Sequence, residues 1–246
     1  AYHKTLARRV TAIDVLDPRS DLSAYSLVIA PRLWVVDPAI AANLRAYVEQ
    51  GGTLCLTVGS GVVDEYGKSF DAPRPGPLRE LAGITVSDLA YDPELRVGLQ
   101  SDVVSALDGT SGRLMADEIH LAGAETIAAH RVGWRQGQPA ITSHSVGAGR
   151  VVYVGMLLDQ GAIDALVDWL CSTSGVEQEL ERPNDVSVYE RSCDEYRLMF
   201  LLNWSEEPRS MDVGKGWQDA FSDESCERVE IPPRDLRIMR SAVESS

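Results

Sequence analysis

Apolar positions in the first part of the chain follow two periods. Ile40, Leu44, Tyr47 and Val48 recur at helical spacing, opened by Asp37-Pro38 as an N-cap with proline at the first helical position and closed by Gly51-Gly52. Residues 53–58 are apolar or β-branched on both faces and too few for a helix, which predicts a buried strand. Residues 26–30 read as another buried strand, stopped by Pro31, and residues 12–16 alternate like a third before the turn at Asp17-Pro18. A helical pattern through Leu6 and Val10 precedes them. A chain opening in mid-element on Ala1 is expected to be a piece of a longer protein.

This alternation of strand and helix predicts an α/β fold with a doubly wound parallel sheet. The loop at residues 59–67 follows the carboxyl end of its central strand, where such sheets carry functional loops. A proline- and glycine-rich stretch and a short helix at residues 78–83 come next, then extended segments over 84–130. Residues 139–145 and 150–154 read as strands paired across Gly147-Ala148-Gly149, and residues 162–172 as an amphipathic helix ending at Ser174-Gly175. Thereafter helical periodicity disappears. Short strands near residues 186–191, 197–203, 210–213, 226–231 and 236–241 predict a small antiparallel β domain. Residues 1–177 and 178–246 are the expected domains.

Charge narrows the partners. Among 246 residues, Asp and Glu number 37 and Lys and Arg 23, a net charge of -14, so nucleic acid and anionic membranes are not expected partners. No apolar run approaches the roughly 20 residues of a membrane span, and a cytoplasmic location is expected. Cys55, Cys171, Cys193 and Cys226 have no ligand spacing and read as reduced thiols. The histidines His3, His120, His130 and His144 suggest no metal site, and no cofactor is expected.

Candidate chemistry is thin. Glycoside hydrolysis requires two carboxylates across a pocket, but Asp64-Glu65, Asp117-Glu118 and Glu206-Glu207 are neighbours that would point to opposite sides of extended chain. All three pairs read as solvated surface. Cys55 lies within a strand, where a structural thiol is expected rather than a nucleophile. Ser60 lacks the flanking glycines of a nucleophile elbow, since Val58 and Val62 stand there.

Five stretches carry a resemblance. They are DLSAYSLVIAP (21–31), LRAYVEQGGTLCLT (44–57), SGVVDEYGKSF with PGPLRELAGI (60–84), GQPAITSHSVGAGRVVYVG (137–155) and VYERSCDEYRLMFLLNWSEEP (188–208). Together they resemble the non-catalytic half of the family 42 glycoside hydrolases, the bacterial β-galactosidases. The resemblance implies a flavodoxin-like, class I glutamine-amidotransferase-like domain that mediates homotrimerisation, followed by a small β domain. It also implies that the catalytic glutamates lie on a (β/α)8 barrel absent from this sequence, which would hydrolyse terminal β-D-galactosides with retention. No catalytic residue carries over. Trimer contacts are expected from loops past the strand ends, with Arg32, Trp34, Ser60, Gly61, Asp64 and Tyr66 as candidates; Trp34 reads equally well as a core residue. Two alternatives remain: an amidotransferase-like hydrolase using Cys55 or Ser60, and a carbohydrate-binding module using Trp204 and Trp217.

Overall fold

The computed structural model describes residues 1–10, 12–176, 180–183 and 185–242. These form two compact units, Leu16–Val176 with Tyr2, and Glu177–Ser246 with Ala1 and His3–Val15. Glu177 and Gln178, which flank the boundary expected from sequence, lie outside the described residues.

A short helix, α1 (Tyr2–Leu6), opens the chain. The expected strand at residues 12–16 is not formed. Its apolar members Val15 and Leu16 stay in solvent, so the alternation has no buried face to serve.

In the larger unit, β1 (Leu27–Ala30) leads to α2 (Pro38–Glu49) and β2 (Thr53–Thr57). The Asp37 carboxylate accepts from the Ile40 N–H at 2.7 Å, a cap contributing about 1 kcal/mol, and it also pairs with Arg19. The apolar face of α2 read from sequence is the buried one, and all five residues of β2 are buried. Then follow α3 (Arg79–Ala82), β3 (Ile84–Gln100), β4 (Ser111–Leu121), β5 (Glu125–His130), β6 (Pro139–Val146), β7 (Gly149–Val154), β8 (Met156–Leu158) and α4 (Gln160–Thr173).

The eight strands make one mixed sheet in the order β1-β2-β7-β6-β5-β3-β4-β8. Within this sheet, among the described residues, β1, β2 and β7 run parallel and the other strand pairings are antiparallel. The parallel expectation therefore holds for three strands. The reason lies in the connections: a parallel neighbour needs a crossover such as α2, whereas β3–β4, β5–β6 and β6–β7 are each joined directly as antiparallel neighbours, and β5 pairs with the other edge of β3. Because β7 and β8 are one run interrupted at Gly155, the pairings from β8 through β4, β3, β5 and β6 come back to β7.

The smaller unit holds β9 (Val186–Ser192), β10 (Tyr196–Asn203), β11 (Arg209–Asp212), β12 (Gln218–Asp219), β13 (Arg228–Ile231) and β14 (Leu236–Ala242). A four-stranded antiparallel sheet, β12-β14-β10-β9, accompanies the β11–β13 pair. Alternate residues such as Val186, Val188, Met199, Leu201, Ile231 and Met239 form its core. Arg182 donates to the carbonyls of Arg8 and Val10 at 2.9 and 3.0 Å, tying the N-terminal stretch into this unit.

Candidate functional site

The chain leaves β1 through residues 31–36 and leaves β2 through residues 59–70, and the two loops run side by side. Gly61 and Val62 donate backbone hydrogen bonds to the carbonyls of Leu33 and Trp34 at 2.8 and 3.0 Å, and Val36 donates back to Val63 at 3.0 Å. Adjacent parallel strands place their following loops together, so all six sequence candidates fall on one loop pair.

They do not play equal parts. Arg32 is exposed in left-handed backbone (φ 50), its N–H donating to Thr57 Oγ1 at 2.8 Å. Trp34 is 40% exposed and Tyr66 87% exposed. Asp64 is half-buried, and its carboxylate accepts from the N–H groups of Tyr66 and Lys68, which stiffens the turn presenting Tyr66. Ser60 is buried and donates to the Thr57 carbonyl at 2.7 Å. Gly61 is also buried, in left-handed backbone where a Cβ would strike the Pro75 carbonyl. Ser60 and Gly61 therefore shape the surface from below.

Beneath these loops lies Asp117, only 1% exposed. Its Oδ2 accepts from Tyr153 Oη at 2.7 Å, Arg74 Nη1 stands 3.4 Å from Oδ1, and the Gly59 N–H also reaches the carboxylate. Burial pushes the acid up to about 6, against the opposing effects of Tyr153, Arg74 and Arg135. The Tyr153 phenol is raised far above its ordinary range by burial and by the acid beside it. The strand-end position where open α/β sheets receive ligands is thus filled by one of the chain's own carboxylates.

This corrects the reading of Asp117-Glu118 as a solvated pair. The two side chains do diverge, but one side of β4 is the interior, so one acid had to be buried. Met115, Asp117 and Ile119 share a buried face, and that apolar i, i+2, i+4 setting was the available signal. Glu206-Glu207 is exposed as expected.

Next to Asp117, the buried Arg135 donates to the Ala116 carbonyl at 2.9 Å and faces Asp88 at 3.7 Å. His130 is buried as well, held near 4 by burial and by the Arg135 charge.

The nucleophile candidates are poorly placed for attack. Cys55 is fully buried and burial pushes its thiol up to about 12, while the Ser60 hydroxyl is engaged with its own turn. Of the proposed sugar platforms, Trp217 is buried with the Arg197 guanidinium over its ring, and Trp204 is exposed with its Nε1 donating to Ser187 Oγ. All four cysteines are thiols. Among the described residues no group of three or more His, Cys, Asp or Glu side chains could hold a metal, and no helix is long and apolar enough to cross a membrane.

The sequence profile of the β-galactosidase trimerisation domain matches residues 1–177. The β-galactosidase BglY of Alicyclobacillus acidocaldarius is 36% identical over 217 residues, covering 85% of this chain and 31% of that protein. BgaB of Geobacillus sp. is 34% identical over 206 residues, covering 84% and 30%. The crystal structure of the β-galactosidase from Bacillus circulans sp. alkalophilus superposes with a TM-score of 0.93 at 29% identity, over 98% of this chain and 36% of that one. The chain thus spans about a third of the length of these relatives. With its α/β unit lying within the match, the chain belongs to the β-galactosidase trimerisation domain family, in agreement with the resemblance to the family 42 enzymes.

Proposed function

We propose that this chain is the assembly region of a β-galactosidase and contains no catalytic centre of its own. Residues 1–177 would form the trimerising domain and residues 178–246 an accessory β domain. In the whole protein, a (β/α)8 barrel would hydrolyse terminal β-D-galactosides with retention, in the cytoplasm. The observation that carries this reading is the match of the trimerisation domain over residues 1–177. The strand-end crevice filled by Asp117 supports it, because that crevice is where a related α/β enzyme would place its chemistry. The three parallel strands with α2 are the part we assign to a flavodoxin-like, amidotransferase-like ancestry.

The contact surface on this reading is the exposed rim of the paired loops. Arg32, Trp34 and Tyr66 supply the side chains that dominate protein interfaces, two aromatics and an arginine, and Asp64 holds Tyr66 in place. Ser60 and Gly61 set the path of the loop. Light scattering at moderate salt over a range of concentrations tests the reading. A particle of three chains that falls apart in Tyr66→Ala or Arg32→Ala is the expected result. A monomer at every concentration would overturn self-association by this chain.

A further inference from the structure

A cleft of about 420 Å³ opens beside the loop pair, lined by Trp34, Val62, Ser69, Phe70, Arg74 and Asp88 among others. We propose that it is a binding site for a neutral hexose or hexoside, with Trp34 as the apolar platform and Asp88, Ser69 and Arg74 as the polar partners.

The argument begins with charge. Arg74 is already paired with Asp117, and Asp88 already faces Arg135. A cation entering the cleft would meet Arg74 and an anion would meet Asp88, so neither finds an uncompensated opposite charge. A neutral ligand carrying both donors and acceptors fits both walls, since the carboxylate only accepts, the guanidinium only donates and the Ser69 hydroxyl does both. Charged partners also make the stronger hydrogen bonds to hydroxyl groups.

The apolar side adds a second requirement. The open backbone of Gly59 lies against the six-membered part of the Trp34 indole, where a Cβ would stand 3.5 Å from Cε3 and Cζ3. The ring is thereby held from one side while the remainder is exposed along the cleft with Phe70 and Val62. A ligand must therefore present an apolar C–H surface as well as hydroxyls, and a pyranose ring does so. The volume falls in the range of roughly 300–1,000 Å³ typical of small-molecule sites.

Arg135 backs this wall. It is buried, donates to the Ala116 carbonyl at 2.9 Å and faces the Asp88 carboxylate at 3.7 Å, so Asp88 is held in the cleft wall by a charge that is itself out of reach of solvent.

The test is titration of the protein with methyl β-D-galactoside and methyl α-D-glucoside, read by tryptophan fluorescence and calorimetry, with ethylene glycol as the control. A saturable response to at least one glycoside, weakened tenfold or more in both Trp34→Ala and Asp88→Asn, is expected. The Asp88 side chain is 66% exposed, so that variant should retain the fold. No saturable response in the wild type, or equal binding by wild type and variants, would overturn the proposal. Native mass is followed alongside: a wild type that self-associates yet gives no glycoside response overturns this proposal alone, and a monomeric wild type that binds a glycoside overturns the assembly reading alone.

Discussion

The two units solve burial in opposite ways. The smaller has a core of Val, Met, Leu, Ile and Trp side chains from alternate strand positions, and its chief buried amide, Asn203, is fully served. Nδ2 donates to the carbonyls of Glu207, Ile231 and Pro232, and Oδ1 accepts from Ser205. The larger unit buries ionisable groups together: Asp117, His130, Arg135 and Tyr153. A neutral amide bonded to neutral carbonyls is nearly indifferent to pH. A buried acid and a buried base are not. The larger unit is thus the one whose interior responds to protons, and its ionisable cluster lies under the surface assigned to assembly.

The largest effect that would break this comparison is steric. Gly61→Ala would place a Cβ against the Pro75 carbonyl in left-handed backbone, and a loss of about 3 kcal/mol or more is expected in denaturant unfolding. The loss should fall on the transition of the larger unit alone, and an unchanged midpoint would show that the loop path is not strained by the added atom.

The sharpest test is pH. Asp117 is raised from 3.8 to about 6, so the folded state holds its proton more tightly and stability from this group falls as pH rises through that window. His130 is lowered from 6.5 to about 4, so the unfolded state is the better proton acceptor and stability from this group rises over nearly the same window. Each effect amounts to about 3 kcal/mol and the two oppose, leaving a shallow profile in the wild type. Asp117→Asn should expose the histidine, with stability falling on acidification from 6.5 to 4. His130→Gln should expose the acid, with stability rising on acidification from 6 to 4. Parallel profiles in the two variants would sink the account. A smaller effect belongs to the other unit. Asn203→Ala strands three carbonyls and should cost about 2 kcal/mol at every pH, which a pH-dependent loss would contradict.

Elements whose pattern is local were legible. The cap and apolar face of α2, the buried run of β2, the β6–β7 pair, α4 and five strands of the smaller unit all follow from residue spacing and turn chemistry. The two-residue strand β12 was not, because it is too short to establish a period. The same limit explains residues 12–16, where alternation existed without a buried face.

At the candidate site, sequence brought the right loops into view and tertiary structure divided their residues. Arg32, Trp34 and Tyr66 became surface, while Ser60 and Gly61 became support, because exposure depends on which loop crosses above another. The same holds for Asp117. Its apolar neighbours could mark it as buried, but nothing local names Gly59, Arg74 and Tyr153 as its partners, from three separate segments of chain. Sequence by itself determined the period of each element, the charge, and the family, all of which are properties of residues near one another or of their order. Tertiary structure alone decided which strands run parallel and what compensates the acid that enters the interior. Those outcomes depend on contacts between residues distant in sequence, formed when the chain closes its loops.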